Sequence, residues 1–171
     1  DNGCTASDAM NLTVNPAPTP NIGLDQTVCD YNTPVTLDAG AGYSSYAWSS
    51  GGSSQTENVS TSGTYDVTVT DANGCTGSDA MNLTVNPSPT VDIGPDQTVC
   101  DYNTPVTLDA GAGFSSYAWS SGGSSQTENV STSGTYDVTV TDASGCTATD
   151  AMNLTVNPAP TVNLGPNQNV C

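Results

Sequence analysis

Cys4, Cys29, Cys75, Cys100, Cys146 and Cys171 are the residues best suited to covalent chemistry. No histidine is present to activate them, and lysine and arginine are absent as well. Ser-His-Asp and Cys-His nucleophiles are therefore missing, along with His-ligated zinc. A closed metal site needs four clustered ligands, and two cysteines per repeat do not supply them. What remains for thiols in an acidic, repetitive chain is disulfide formation in an oxidising compartment.

The 17 acidic residues stand unopposed, giving a formal charge of −17 over 171 residues. Nucleic-acid binding needs cations to displace the counterions of phosphate, so that function class is excluded. Anionic membrane surfaces are disfavoured on the same ground. Phosphoryl transfer lacks its usual Lys and Arg clamps. Charge of one sign keeps a crowded surface polymer soluble and apart from its copies. No apolar run approaches the roughly 18 residues needed to span a membrane. The chain opens inside a repeat and reads as a piece of something longer.

That repeat organises everything else. Cys4, Cys75 and Cys146 recur every 71 residues, as do Cys29, Cys100 and Cys171. From Cys4 to Ser144 one unit is read nearly twice, with seven differences: Ala6/Gly77, Ala17/Ser88, Pro20/Val91, Asn21/Asp92, Leu24/Pro95, Tyr43/Phe114 and Asn73/Ser144. Near-identical copies suit a protein whose task is length, reach or many equal contacts. Asn15-Pro-Ala-Pro, Asn86-Pro-Ser-Pro and Asn157-Pro-Ala-Pro mark the boundaries as short, stiff spacers. Residues 1–15 read as the last strand of a preceding repeat. Residues 16–86 and 87–157 read as complete modules, and 158–171 as the start of the next.

Within a module the pattern is β throughout. Tyr136, Val138 and Val140 alternate with polar residues, and so do Met152, Leu154 and Val156. Val106 with Leu108 and Tyr117 with Trp119 mark two further strands, and shorter ones are expected at Val91–Ile93, Val99 and Val130. Gly111-Ala-Gly, Ser121-Gly-Gly-Ser, Ser133-Gly and Ser144-Gly supply turns. Six or seven strands in a module this short make an all-β fold: tandem immunoglobulin-like antiparallel β-sandwich modules joined by short Pro-rich linkers. Trp48 and Trp119 are the expected core anchors, with sugar stacking at the surface as the alternative. Tyr65 and Tyr136 sit where such a sandwich places a tyrosine corner.

That fold constrains the thiols. In it Cys100 falls at one pole and Cys146 at the other, ten strand residues or roughly 33 Å apart. A disulfide needs Cα atoms within about 7 Å. The preferred pair is therefore Cys29–Cys146, between neighbouring modules. The alternatives are Cys29–Cys75 with Cys100–Cys146 inside modules, inter-chain bonds, or free thiols.

Other side chains carry lesser signals. Asp71, Asn73 and Asp142 lie in turns with oxygens suited to Ca²⁺, yet their spacing matches no full EF-hand loop, and Asp is also a good turn residue. Asn11, Asn58, Asn82, Asn129 and Asn153 head N-glycosylation sequons, and the many Ser and Thr residues offer O-linked sites.

The runs Val-Thr-Leu-Asp-Ala-Gly, Tyr-Ala-Trp-Ser-Ser-Gly and Ser-Gly-Thr-Tyr-Asp-Val-Thr-Val-Thr-Asp-Ala-Asn-Gly-Cys-Thr resemble the PKD-like and immunoglobulin-like repeats of large Bacteroidetes cell-surface adhesins, including those associated with gliding motility. The resemblance spans essentially the whole chain. It implies export, an extracellular stalk or filament architecture at the cell surface, and adhesion at a distal end. The complete lack of basic residues departs from that family.

The expected function is thus a structural or adhesive repeat segment of a secreted cell-surface stalk or extracellular filament. It is expected to be no enzyme and to need no cofactor, with Ca²⁺ at the turns named as the weaker alternative. Its expected partners are neighbouring copies of the same repeat assembling into a fibre, together with a surface or glycan ligand. The competing reading is a carbohydrate-binding or accessory module of a secreted hydrolase, which calls for several exposed aromatics per module.

Overall fold

The computed structural model describes residues 2–163 and residue 165. Cys171 and most of the closing segment lie outside the described residues. The chain forms two compact units, 1–85 and 86–171.

The first unit has six strands. They are β1 (Gln26–Cys29), β2 (Val35–Asp38), β3 (Ser45–Trp48), β4 (Thr56–Val59), β5 (Gly63–Thr70) and β6 (Thr76–Asn86). A short 3-10 turn, Asp30–Asn32, follows β1. One sheet has the order β1-β6-β5-β3, and the other pairs β2 with β4. The second unit repeats this plan with β7 (Gln97–Cys100), β8 (Val106–Asp109), β9 (Ser116–Trp119), β10 (Thr127–Val130), β11 (Gly134–Thr141) and β12 (Thr147–Asn157). Its sheets are β7-β12-β11-β9 and β10-β8.

Strand formation follows from alternation. In β5, Val67 and Val69 turn inward while Thr64, Asp66 and Thr68 face water, and β-branched residues suit that pleated, half-buried surface. In β6, Met81 and Leu83 do the same. Burying these faces between the two sheets creates one core per unit. Leu37, Trp48, Val59, Val67, Val69, Met81 and Leu83 form the first. Leu108, Trp119, Val130, Val138, Val140, Met152 and Leu154 form the second. A module of this size buries only about 60% of its unfolded surface, so each large core side chain matters.

Trp48 and Trp119 are core residues. Each is 5% exposed. The Trp48 indole N–H donates to the Ser54 carbonyl at 2.8 Å, and Trp119 does the same to Ser125. Burial without an unpaired donor is thereby achieved. The β3–β4 turn depends on Gly51, whose φ of 98° lies in the left-handed region. Its N–H donates to the Trp48 carbonyl at 2.9 Å. Tyr65 makes the tyrosine corner, its hydroxyl donating to the Thr61 carbonyl at 2.8 Å, and Tyr136 repeats it on Thr132 at 2.9 Å.

One expectation needs correction. Val91–Ile93 forms no strand. Ile93 is buried, but its N–H donates to the Asp150 carboxylate at 2.8 Å rather than to a ladder carbonyl. Residues 2–24 lie outside the strands of both modules. Met10, Leu12 and Val14 there are 83%, 79% and 81% exposed.

Candidate functional site

The sheets place the cysteines at the ends of first and last strands. β7 runs parallel to β12, with Cys100 opposite Asn157. Cys146 immediately precedes β12 at its other end. Cys100 and Cys146 are therefore separated by the whole eleven-residue strand, roughly 36 Å at about 3.3 Å per residue. No disulfide reaches that far. Cys29 and Cys146 are disulfide-bonded, whereas Cys75 and Cys100 are free thiols, so the within-module pairs Cys29–Cys75 and Cys100–Cys146 are not formed. Cys4 is also free, and exposed. Cys29 and Cys146 are both buried. Tyr102 bonds to the Cys100 sulfur, and that contact raises the phenol above its ordinary pKa.

Asp71 and Asp142 organise turns. The Asp71 Oδ1 accepts the backbone N–H groups of Asn73 and Cys75, both at 2.8 Å. Asp142 Oδ1 does the same for Ser144 and Cys146. A short carboxylate bridging nearby amides is a general reason for Asp to occupy turns. Asn73 contributes its backbone N–H to that turn. Among the described residues, no group of three or more Cys, Asp or Glu side chains converges.

The other carboxylates serve as staples between distant backbone segments. Asp79 Oδ2 accepts the Ile22 N–H at 2.8 Å, a contact spanning 57 residues. Asp25 Oδ1 accepts the Asn82 N–H at 2.8 Å, and its Oδ2 accepts the Asn82 side-chain amide at 3.2 Å. Asp96 repeats this on Asn153. The backbone N–H and then the side-chain amide hold both carboxyls below the usual Asp pKa. Asp38 and Asp109 are lowered too, first by the side-chain amides of Gln55 and Gln126, then by backbone N–H groups. Such carboxylates stay ionised to lower pH than an ordinary Asp, because the hydrogen bonds favour the charged form. Asp25 and Asp79 also line an open cleft of about 800 Å³ with Pro20, Asn21 and Leu24. Both have a backbone amide on their oxygens there.

All five sequon asparagines are exposed. They differ in what their amides do. The Asn82 and Asn153 nitrogens donate to Asp25 and Asp96. Asn58 and Asn129 use their oxygens, accepting Thr36 at 2.6 Å and Thr107 at 2.7 Å. Sequence reasoning missed the Asp–Asn staples altogether, because their partners lie 57 residues apart. A fixed separation repeated once per module was the available signal.

No protein-family model matches the chain, nor does any curated protein. Among solved structures it is similar to the insect immune protein hemolin, at 15% identity and a TM-score of 0.42 over 81% of this chain and 46% of hemolin. An I-band fragment of titin gives 16% and 0.39, over 79% of this chain and 63% of the fragment. Immunoglobulin domains 1–4 of Sidekick-1 give 13% and 0.37, over 78% and 47%. The chain thus spans about half to two thirds of the length of each. Sheet order decides the fold, with last strand between first and fifth in one layer and second paired with fourth in the other. The modules are tandem immunoglobulin-like β-sandwiches. Each immunoglobulin-like module carries its own core, its own tyrosine corner and the same carboxylate staples.

Proposed function

We propose that this chain is a structural and adhesive repeat segment of an extracellular stalk or filament, related to the repetitive surface adhesins its motifs resemble. One observation carries the reading: both modules commit the same polar groups to the same internal bonds. Asp25 and Asp79 in the first module, and Asp96 and Asp150 in the second, accept equivalent backbone amides. Geometry repeated in service of the scaffold is what a mechanical array requires, whereas an active site needs groups held for a substrate.

Cys29 and Cys146 extend that reading. We propose that they pair with each other, a reading supported by both being disulfide-bonded while Cys75 and Cys100 are free. A disulfide supports an oxidising working compartment over a reducing cytosol. Electron cryomicroscopy of native material tests the proposal. Ordered fibres with continuous contact between modules are expected, with glycan density on exposed Ser, Thr or Asn. Isolated two-module particles would overturn the filament.

A second reading rests on Tyr31 and Tyr102, which are 54% and 71% exposed at equivalent positions. A regularly spaced aromatic suits stacking against a sugar ring. Glycan-array binding that Tyr31→Ala combined with Tyr102→Ala abolishes would favour the binding-module alternative.

A further inference from the structure

The sequence Thr5–Asn15 repeats β6 and β12 almost residue for residue. It differs from β6 only at Ala6/Gly77 and from β12 only at Ser7/Thr149. Yet Met10, Leu12 and Val14 are at least 79% exposed, while Met81, Leu83, Met152 and Leu154 are at most 2% exposed. An alternating apolar strand with one bare face is unfinished: its burial elsewhere in the molecule is what makes the same sequence a strand. We propose that Thr5–Asn15 is the closing strand of a further module of this repeat joined directly upstream, and that this module is of the second module's type rather than the first's. The inference deepens the tandem-repeat reading and rests on it.

The geometry of the two existing slots defines the partner. A closing strand lies between a first strand and a fifth strand, as β12 lies between β7 and β11. Its central asparagine bonds to both sides. Asn153 takes Thr135 Oγ1 on its side-chain oxygen at 2.7 Å and gives its N–H to Asp96 at 2.7 Å. Asn82 uses Thr64 and Asp25 in the same way. Asn11 occupies that position in Thr5–Asn15, so the upstream module must offer a Thr and an Asp at the corresponding places.

One residue then selects between slot types. In the first module Gly77 lies so close to Pro18 that any Cβ there would overlap the Pro18 carbonyl oxygen and press on Pro20. Ala6 in that slot would clash. In the second module the equivalent residue is Ala148, and it packs against the core. The substitution that accompanies it, Val91 in place of Pro20, changes the segment facing that strand. Ala6 therefore fits a module with the second module's lead-in.

The test is to extend the full chain. Residues 87–145 are placed directly before Cys4, and amide exchange is followed at 5–15. The expected result is loss of free exchange there, down to the rates of 147–157. Unchanged rapid exchange at 5–15 would overturn the proposal. A second extended chain, with residues 16–74 upstream instead, should protect 5–15 less, with protection recovered by Ala6→Gly. Equal protection in both extended chains would overturn the assigned slot type. Leu12→Asp in the first of them should restore free exchange at 5–15 and leave 147–157 unchanged. Sedimentation separates the outcomes. If 5–15 is protected only in species containing two copies, the partner is a second copy and the proposal falls. If a protected three-module chain stays monomeric at every concentration, the proposal stands and the filament reading loses its support.

Discussion

The Asp25 carboxylate accepts the backbone N–H of Asn82 from 57 residues away, at 2.8 Å, and Asp96 does the same to Asn153 at 2.7 Å. The lead-in to each module's first strand is thus pinned onto its last strand. Neither first strand is long enough to hold by itself, since β1 and β7 have four residues each.

This staple predicts acid sensitivity with a definite sign. Asp25, Asp38, Asp96 and Asp109 all have pKa values lowered by folding. Their contribution is complete above the unfolded carboxylate pKa of about 3.9. It is lost as pH falls through the lower folded values. Melting temperature should hold from neutral pH to about 4 and drop below it. Asp25→Asn with Asp96→Asn should lower the plateau and flatten the acid limb. Thermal denaturation followed by circular dichroism from neutral pH down to strongly acidic pH checks both.

Gly77 and Ala148 give a prediction from packing. Gly77→Ala should destabilise the first module by about 1–3 kcal/mol, the usual cost of forcing atoms into a closed space. The neighbour here is the Pro18 carbonyl, which is backbone and yields little. Ala148→Gly should cost about 1 kcal/mol or less, the ordinary loss for glycine in a strand. Urea denaturation of the two variants measures the difference.

Much of this fold is legible in the sequence. The alternation of Tyr136, Val138 and Val140 locates β11, and the Trp in each copy lies in the core as its surroundings imply. The tyrosine corner can be read because it is local, bridging four residues. Val91–Ile93 misleads because an apolar pair between turn residues looks like a short strand. Its backbone is instead satisfied by Asp150, a side chain 57 residues away. The clash that requires Gly77 is equally hidden, since it depends on where Pro18 folds back. Local periodicity fixes strands; long-range side-chain contacts fix the remainder.

Tyr65→Phe and Tyr136→Phe should each cost about 0.5–1.5 kcal/mol, the net worth of one hydrogen bond. The ring stays in place against the core, so the change isolates the hydroxyl bonds to Thr61 and Thr132. Trp119→Ala should cost about 3–5 kcal/mol and abolish cooperative unfolding of its module. Near-ultraviolet circular dichroism and urea titration distinguish the two cases.

The turn carboxylates make a third kind of prediction. Asp71→Ala and Asp142→Ala each leave two amides without their acceptor and should lower the melting temperature. The wild-type transition is expected not to move on adding a chelator. A chelator-induced drop in melting temperature that Asp71→Ala removes would assign Ca²⁺ to this turn instead.

Disulfide mapping of the unreduced native protein tests the proposed Cys29–Cys146 pairing most directly. Proteolysis and mass spectrometry should recover one linked peptide pair containing Cys29 and Cys146, with Cys75 and Cys100 alkylated as free thiols. A Cys29–Cys75 or Cys100–Cys146 peptide pair would contradict it, leaving each module closed on itself with no covalent tie to its neighbour.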